Sequence, residues 1–331
     1  MKQKLVAGAV LLIVLLSLVV GLVLSTKRTT GGGITSSGRF GDAVGLITIN
    51  GVIMSGRTGN GFFGTQTGAE DVITRLRAAA KDPGIKAVVL RLNSPGGTAS
   101  GAQEIGVEVD RLRQAGKKVV ASMGDVSASG AYWIASRADK IVANPGSLTG
   151  SIGVIMSTQD LRGLYEKIGI GTETFKSGPH KDMGSPARAV SPEERAIFQG
   201  MVDDIYEQFL TTVAEGRKMN VATLRQLADG RVFTGRQAKE AGLVDELGNY
   251  GEAISLAGQL TGLGSEPRVV ELGPRGLWQE LFGVSRGVTF RDVLQMAAVF
   301  TSQPGIRSAE REVIYPAIWL LYPVYLKFGE G

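Results

Sequence analysis

The stretch IKAVVLRLNSPGGTASGAQEIGVEVDRLRQAGKKVVASMG, residues 85–124, decides the fold because it places a helix-like segment between two strand-like segments. Residues 87–92 are almost continuously apolar, which is typical of a strand buried on both faces of a parallel sheet. An amphipathic helix is predicted over 99–116, and a second strand over 117–124. This order predicts a crossover unit whose two strands run parallel.

The same alternation continues on both sides of this unit. Upstream, residues 44–53 predict a strand and residues 69–82 a helix. Downstream, Ser191, Pro192 and Glu194 have the spacing of a capped helix start. Six apolar residues then recur on one stripe, which we expect to pack against the core: Phe198, Met201, Val202, Ile205, Phe209 and Val213. Further helices are predicted over 221–228, over 235–241 and after Tyr250. The chain is therefore predicted to be an α/β protein with a largely parallel sheet.

The N-terminal region predicts a membrane anchor. Residues 5–24 carry no charged side chain, and a helix of that length, at about 1.5 Å per residue, covers the ~30 Å of bilayer hydrocarbon. A cleaved signal peptide is the alternative, but its apolar region is normally only ~7–15 residues long. We therefore predict a short basic N-terminus at 1–4, a transmembrane anchor over 5–24 and a flexible linker over 25–42. Basic residues flank both ends of the anchor, so charge does not fix its orientation.

The folded domain is predicted over 43–262, with a C-terminal extension over 263–331. This extension contains an uncharged segment, 313–326, that is interrupted by two prolines and is too short to span a bilayer. Three positions for it remain open: a membrane interface, a neighbouring subunit, or its own domain.

Composition excludes several classes of chemistry. The chain has 36 basic and 31 acidic side chains without a basic block interleaved with aromatics, so no nucleic-acid partner is predicted. It contains no cysteine, which rules out thiol catalysis, thiolate metal sites and disulfides. One histidine without clustered acidic partners does not predict a metal site, and no cofactor is predicted.

A candidate nucleophile lies in SASGAYWIASRADK, residues 127–140. Ser129 stands between Ala128 and Gly130 at the start of a predicted helix, where small neighbours admit a substrate and helix N–H groups face developing negative charge. A serine at a helix start is, however, most often a cap. Upstream, the Gly96-Gly97 turn of NSPGG can present backbone N–H groups to an oxyanion, although such turns also bind phosphates or simply reverse the chain.

The serine needs a base, and one loop, KSGPHKDMGSP at 176–186, offers three candidates. His180 is the chain's one imidazole, and Lys176 and Lys181 lie on either side of it. A lysine acts as a base only when its pKa is brought down by about 3 units from its usual ~10.4, which requires burial or neighbouring positive charge. The residues alone do not choose among the three.

Four motifs occur in order between about Gly45 and Tyr250: NSPGG, GDVSASGAYWIASRADKIVANPGSLTGSIGVI, FKSGPHKDMGSP and DGRVFTGRQAKEAGLVDELG. In this combination the chain resembles the signal peptide peptidase A family, which are membrane-anchored serine peptidases. The resemblance implies a Clp protease/crotonase-like superhelix of strand-strand-helix units, preceded here by the transmembrane helix. It also implies a Ser-Lys catalytic dyad.

Matching the motifs gives each site residue a role. The resemblance implies Ser129 as the nucleophile, Lys181 as the general base, and Ser151 as the residue that orients the lysine. It implies Gly96 and Gly130 as the oxyanion donors. Lys176 remains the competitor of Lys181, and His180 is expected to be structural or to face the substrate.

The resemblance further implies a membrane-bound serine endopeptidase that degrades hydrophobic peptides such as cleaved signal peptides. We expect a single-pass protein of the cell (inner) membrane, in contact with lipid, with an extracytoplasmic catalytic domain. A homo-oligomeric ring, tetramer or octamer, is also expected. Two alternatives differ in class: a crotonase-like acyl-CoA enzyme, with Glu104 and Asp125 as candidate carboxylates, or a non-catalytic membrane scaffold.

Overall fold

The structure, a computed structural model, describes residues 41–61 and 64–273. The predicted anchor, 5–24, and the apolar segment 313–326 lie outside these residues. Within the described part, no helix has both the length and the apolar character needed to cross a membrane.

The secondary structure alternates between strands and helices along the described chain. The strands are β1 Ala43–Asn50, β2 Val52–Met54, β3 Gly59–Gly61, β4 Gly64–Gly68, β5 Ile85–Ser94, β6 Lys118–Ala128, β7 Lys140–Ala143, β8 Leu148–Gly150, β9 Val232–Thr234, β10 Glu246–Leu247 and β11 Val269–Glu271. The helices are α1 Ala69–Lys81, α2 Ala99–Gln114, α3 Gly130–Ala135, α4 Arg162–Lys167, α5 Pro192–Arg217, α6 Val221–Leu227, α7 Gly235–Glu240 and α8 Tyr250–Leu260.

The main sheet has the strand order β10-β7-β6-β5-β1-β11, and all of these neighbours pair in parallel. β8 pairs in parallel with the carboxyl-terminal end of β6, and it pairs with β9 in antiparallel orientation. β2, β4 and β3 form a small second sheet. The predicted α/β class with a largely parallel sheet is therefore confirmed.

The central strand β5 is buried on both faces, as its apolar run predicts. Val88 and Leu90 belong to the larger core, which also receives α1, α2 and α3, whereas Ala87 and Val89 pack with Ala253 of α8 on the opposite face. Each fully buried valine or leucine contributes about 1.5–3 kcal/mol. The two helical layers thus fix β5 and its neighbours as a rigid platform.

This platform brings two turns to the same edge of the sheet. β5 and β6 are parallel neighbours, and Ser94 at the end of β5 is in register with Ser127 near the end of β6. β5 leads through the Gly96-Gly97 turn into α2, and β6 leads through Ser129 into α3. Because the carboxyl ends of parallel strands meet at one edge, the glycine turn and the serine become neighbours.

Helix α5 packs less completely than its apolar stripe predicts. Phe209 and Val213 are buried, and Trp133 of α3 stacks on Phe209 with ring centroids 4.5 Å apart. In the first half, Met201 is 41% exposed, and Phe198 lines an open cleft of about 740 Å³. Only the second half of the helix is therefore fixed in the core.

The segment between β8 and α5, residues 151–191, is named here the lysine arm because it carries Lys176 and Lys181. Its described structure is mostly irregular, with α4 as its one helix. Several of its large apolar side chains are exposed: Ile155, Met156, Leu164, Ile168, Ile170 and Phe175. The arm therefore presents an apolar surface that the described part of its own chain does not cover.

Candidate active site

Ser129 has a strained backbone conformation, and its side chain does not cap helix α3. Its φ is 52° and its ψ −121°, a region that L-residues rarely adopt, and such strain costs about 1–3 kcal/mol. It occupies the position before α3, yet its side chain makes no capping hydrogen bond. The residue is held by its main chain, since its N–H donates to the Gly150 carbonyl at 2.9 Å and its carbonyl accepts from Trp133 N–H. The helix-cap explanation for this serine is therefore wrong.

The glycine turn packs directly against the serine. Gly96 has φ +105°, and a Cβ added to it would lie 2.8 Å from both the Ser129 Cβ and the Gly130 nitrogen. Only glycine tolerates both this φ and this approach. The structure thus brings together Gly96, Ser129 and Gly130, three of the residues predicted from the sequence.

The hydrogen bonds of the glycine turn point to a different amide donor from the predicted one. Gly96 N–H already donates to the buried Ser94 Oγ at 3.1 Å, which weighs against Gly96 as an oxyanion donor. Within the described residues, the N–H groups of Gly97 and Gly130 donate to no other group. A Cβ on Gly130 would lie 3.3 Å from the Gly97 nitrogen, so these two amides are close. The sequence marks the Gly96-Gly97 pair, but it does not show which amide Ser94 occupies.

Ser151 follows β8 directly and also has a positive φ, 49°. Its N–H donates to the Arg231 carbonyl at 2.8 Å, while the preceding Gly150 accepts from Ser129 N–H. The side chain of Ser151 is half-buried and makes no hydrogen bond within the described part of the chain. Ser151 is therefore the residue directly after the main-chain contact of Ser129.

The three candidate bases differ in how they are engaged. Lys176 Nζ donates to Asp182 Oδ1 at 2.8 Å and to the Pro179 carbonyl at 3.0 Å. His180 Nε2 lies 3.4 Å from a carboxylate oxygen of Glu193. Lys181 is exposed, and its Nζ has no partner among residues 41–61 and 64–273. Within the same residues, no hydrogen bond joins any of the three to Ser129.

A chain of ion pairs holds the loop next to Lys181. Asp182 is paired with Lys176 and Arg188, and Arg188 is also paired with Glu194 in the first turn of α5. Hydrogen bonds from Arg188 keep the pKa of Asp182 well below its usual value. Hydrogen bonds from Arg188, and then from the Ser191 N–H, lower the pKa of Glu194 from 4.5 to about 2. Sequence reasoning finds the Ser191-Glu194 capping box but misses Arg188.

We expect acid to weaken this loop between pH 4.5 and 2. A carboxyl whose pKa is lowered by folding stabilises the protein above its unfolded pKa, and this contribution is lost as pH falls through the folded value. For Glu194 that window runs from 4.5 to about 2. Thermal unfolding of wild type and Glu194→Gln across this range is the measurement: the melting temperature of the variant should fall less steeply with acid. Identical slopes would contradict the prediction.

Comparison with known proteins identifies the family. A sequence model of peptidase family S49 matches residues 111–264. The chain is 42% identical over 221 residues to "Putative protease slr0021" of Synechocystis sp., covering 66% of this chain and 79% of that protein. It is 39% identical over 223 residues to "Protease 4" of Salmonella typhi, covering 67% of this chain but only 35% of that protein. With "Putative signal peptide peptidase SppA" of Enterococcus faecium it shares 38% identity over 208 residues, 63% of this chain and 60% of that protein.

These matches confirm the resemblance that rests on the four motifs. The residues 111–264 matched by the family model include Ser129, Ser151 and Lys181. Glu104 and Asp125, the carboxylates considered for acyl-CoA chemistry, are exposed, and Glu104 lies outside the matched range. The peptidase interpretation is therefore the one the relatives share, and the chain belongs to peptidase family S49.

Proposed function

We propose that the protein is a membrane-bound serine endopeptidase in which Ser129 attacks the scissile carbonyl. The observation that carries this proposal is the strained, uncapped Ser129 beside the unused N–H groups of Gly97 and Gly130. Two unused amides that lie this close to a nucleophile can stabilise the oxyanion of a tetrahedral intermediate. Gly97 takes the place of Gly96 as the proposed partner of Gly130, because Gly96 N–H is occupied by Ser94.

Lys181 is the proposed general base, oriented by Ser151. Neutral Lys181 takes the Ser129 proton during attack, returns it to the leaving amine, and then activates the water that hydrolyses the acyl-enzyme. The unengaged Nζ of Lys181 supports this role, in contrast with the ion-paired Lys176. A neutral amine also requires a desolvated surrounding.

Self-association supplies that surrounding in our proposal. Lys181 is exposed in the single chain, and the lysine arm carries exposed apolar residues, among them Ile155 at 92% and Phe175 at 87% exposure. Packing these residues against another copy would remove water from both the apolar surface and the amine. A homo-oligomeric ring, a tetramer or octamer, fits this requirement.

The proposed substrates are hydrophobic peptides such as cleaved signal peptides. The printed name of the Enterococcus faecium relative supports this class, and an anchor at 5–24 would keep the domain beside membrane lipid. We place the protein in the cell (inner) membrane as a single-pass protein with an extracytoplasmic catalytic domain. The parallel sheet with its crossover helices supports a Clp protease/crotonase-like superhelix for that domain.

The base assignment is tested by comparing Lys181→Met with Lys176→Met. We expect Lys181→Met to reduce both peptide hydrolysis and labelling of Ser129 by a fluorophosphonate probe by ~10³-fold or more, since loss of the base leaves the serine unactivated. Lys176→Met should retain activity within about tenfold, because Lys176 pairs with Asp182 and with the Pro179 carbonyl but has no proposed part in the reaction. The opposite ranking would assign the base to Lys176, and full activity in both variants would exclude a lysine base.

A further inference from the structure

We propose that Arg188 is a positioning residue, which fixes the loop carrying Lys181 by joining Asp182 to the buried Glu194 of α5. This inference rests on the proposed function, because it presupposes that Lys181 is the base. Arg188 itself touches none of the reacting groups in our mechanism. It acts through Asp182, the residue that follows Lys181 in the chain.

The contact between Arg188 and the loop residue Asp182 is bidentate. Arg188 Nε donates to Asp182 Oδ2 and Arg188 Nη2 donates to Asp182 Oδ1, both at 2.8 Å. Arg188 Nη2 also reaches the Asp182 carbonyl at 3.3 Å, so the guanidinium contacts main chain and side chain of one residue. Two parallel N–H···O bonds fix direction as well as distance, which a single ammonium contact does not do.

At its other end, Arg188 contacts a buried carboxylate, that of Glu194 in α5. Glu194 is only 2% exposed, accepts from Arg188 Nη1 at 2.9 Å, and forms a short contact with Arg188 Nη2. The same carboxylate accepts from Ser191 N–H in the capping box of α5. Glu194 lies in the first turn of α5, and the second half of the same helix is buried in the core, so one continuous helix joins this carboxylate to the core.

The loop needs such an anchor because its own backbone contacts are few. Residues 178–186 form neither helix nor strand, and their short-range bonds include Lys181 N–H to the Gly178 carbonyl at 3.3 Å and Met183 N–H to the His180 carbonyl at 3.1 Å. A general base must be placed to within about 0.5 Å to work efficiently. Arg188 therefore connects the placement of Lys181 to helix α5, whose second half is packed in the core.

The charges in this chain of contacts balance. Two cations, Lys176 and Arg188, alternate with two anions, Asp182 and Glu194, so the set holds the loop without adding a net charge beside Lys181. Arg188 is suited to the central place because one planar guanidinium can bind two carboxylates at once. A lysine at 188 keeps the charge but lacks that fork.

The test compares Arg188→Gln, Arg188→Lys and Asp182→Asn in the full-length chain, with kcat and KM for an apolar peptide measured separately. We expect Arg188→Gln to lower kcat by ~10- to 100-fold and to change KM by less than about threefold, since base placement affects the chemical step. Arg188→Lys should recover little of the loss, because charge without the fork does not orient the loop. Combining Arg188→Gln with Asp182→Asn should lower kcat no further than either change alone.

The matched control is Arg225→Gln. Arg225 makes an equally bidentate pair with Glu207, also on α5, through contacts of 2.6 and 2.8 Å, but it lies outside the proposed site. This control should keep the wild-type kcat. A similar loss of kcat in Arg225→Gln, or full rescue by Arg188→Lys, would overturn the positioning role.

Ser129→Ala and Lys181→Met, measured alongside, separate the two levels of the proposal. If both abolish hydrolysis while Arg188→Gln keeps wild-type kcat, the positioning role fails and the proposed function stands. If Ser129→Ala retains hydrolysis, the proposed function fails and the positioning role fails with it. If circular dichroism shows that Arg188→Gln does not fold, Asp182→Asn compared with Lys176→Met decides, because Asp182→Asn weakens the pairs with both Arg188 and Lys176 and leaves the Arg188-Glu194 pair intact, whereas Lys176→Met removes only the lysine pair.

Discussion

Replacing Ser129 with alanine is expected to lower kcat for peptide hydrolysis by ~10⁴-fold or more, because it removes the proposed attacking oxygen and leaves the amides in place. The measurement is hydrolysis of an apolar peptide by the full-length protein, with circular dichroism as a check of folding. Hydratase activity toward an acyl-CoA that survives the substitution would favour the acyl-CoA alternative. If neither the wild type nor Ser129→Ala hydrolyses the peptide, and both bind a partner, the scaffold alternative is favoured.

Ser129→Gly is the matched variant, since it removes the same oxygen but accommodates the backbone. With φ 52° and ψ −121°, the position strains alanine as it strains serine. Glycine avoids a strain of about 1 kcal/mol, so its melting temperature should exceed that of Ser129→Ala by ~2–4 °C. If both variants are equally inactive but Ser129→Gly melts at the higher temperature, the loss of activity comes from the missing oxygen and the difference in stability from the backbone strain. A glycine variant less stable than the alanine variant would contradict the argument.

Gly96→Ala is expected to reduce kcat by ~10²-fold or more and to destabilise the fold by about 1–3 kcal/mol. The added methyl group would lie 2.8 Å from Ser129 Cβ and from the Gly130 nitrogen, so either the serine or the proposed oxyanion amide must move. Activity and thermal unfolding measured on the same preparation check both effects.

Gly116→Ala provides the control for backbone strain alone. Gly116 also has a positive φ, +81°, but a Cβ added there meets no atom within 4 Å. This variant should lose about 1 kcal/mol of stability and keep its activity. If Gly96→Ala behaves like Gly116→Ala, the close approach of the glycine turn to Ser129 has no catalytic importance.

Local signals in the sequence predict the elements that surround the site. The apolar run of β5, the capping box of Ser191 and Glu194, and the strand-helix alternation follow from short-range patterns, and the structure has each of them. The closeness of Gly96 and Ser129 also follows, because parallel neighbouring strands deliver their end turns to one edge.

Other features depend on contacts that a linear pattern does not encode. Gly96 N–H donates to Ser94 Oγ because the serine side chain turns back toward the glycine turn. The sequence does not show this direction, so it could not choose Gly97 over Gly96 as the oxyanion donor. The bridge from Asp182 through Arg188 to Glu194 joins residues of an irregular loop, where no periodicity applies. β11, at Val269–Glu271, pairs with β1 although it lies beyond residue 262, because a three-residue strand gives too weak a pattern to detect.

The hydrogen bonds around Ser129 have a consequence for how such a peptidase can change. Ser129 N–H donates to Gly150 and Ser151 N–H donates to Arg231, so β8 and β9 meet beside the serine, and the chain between them forms first the lysine arm and then helix α5. The lysine arm, 151–191, ends before Phe209 of α5 stacks on Trp133 of α3, so the arm can be lengthened, shortened or exchanged with a relative's while these contacts beside the proposed nucleophile are kept. Chimeric enzymes joined at the two ends of the lysine arm would take the proposed nucleophile from one parent and the proposed base from the other.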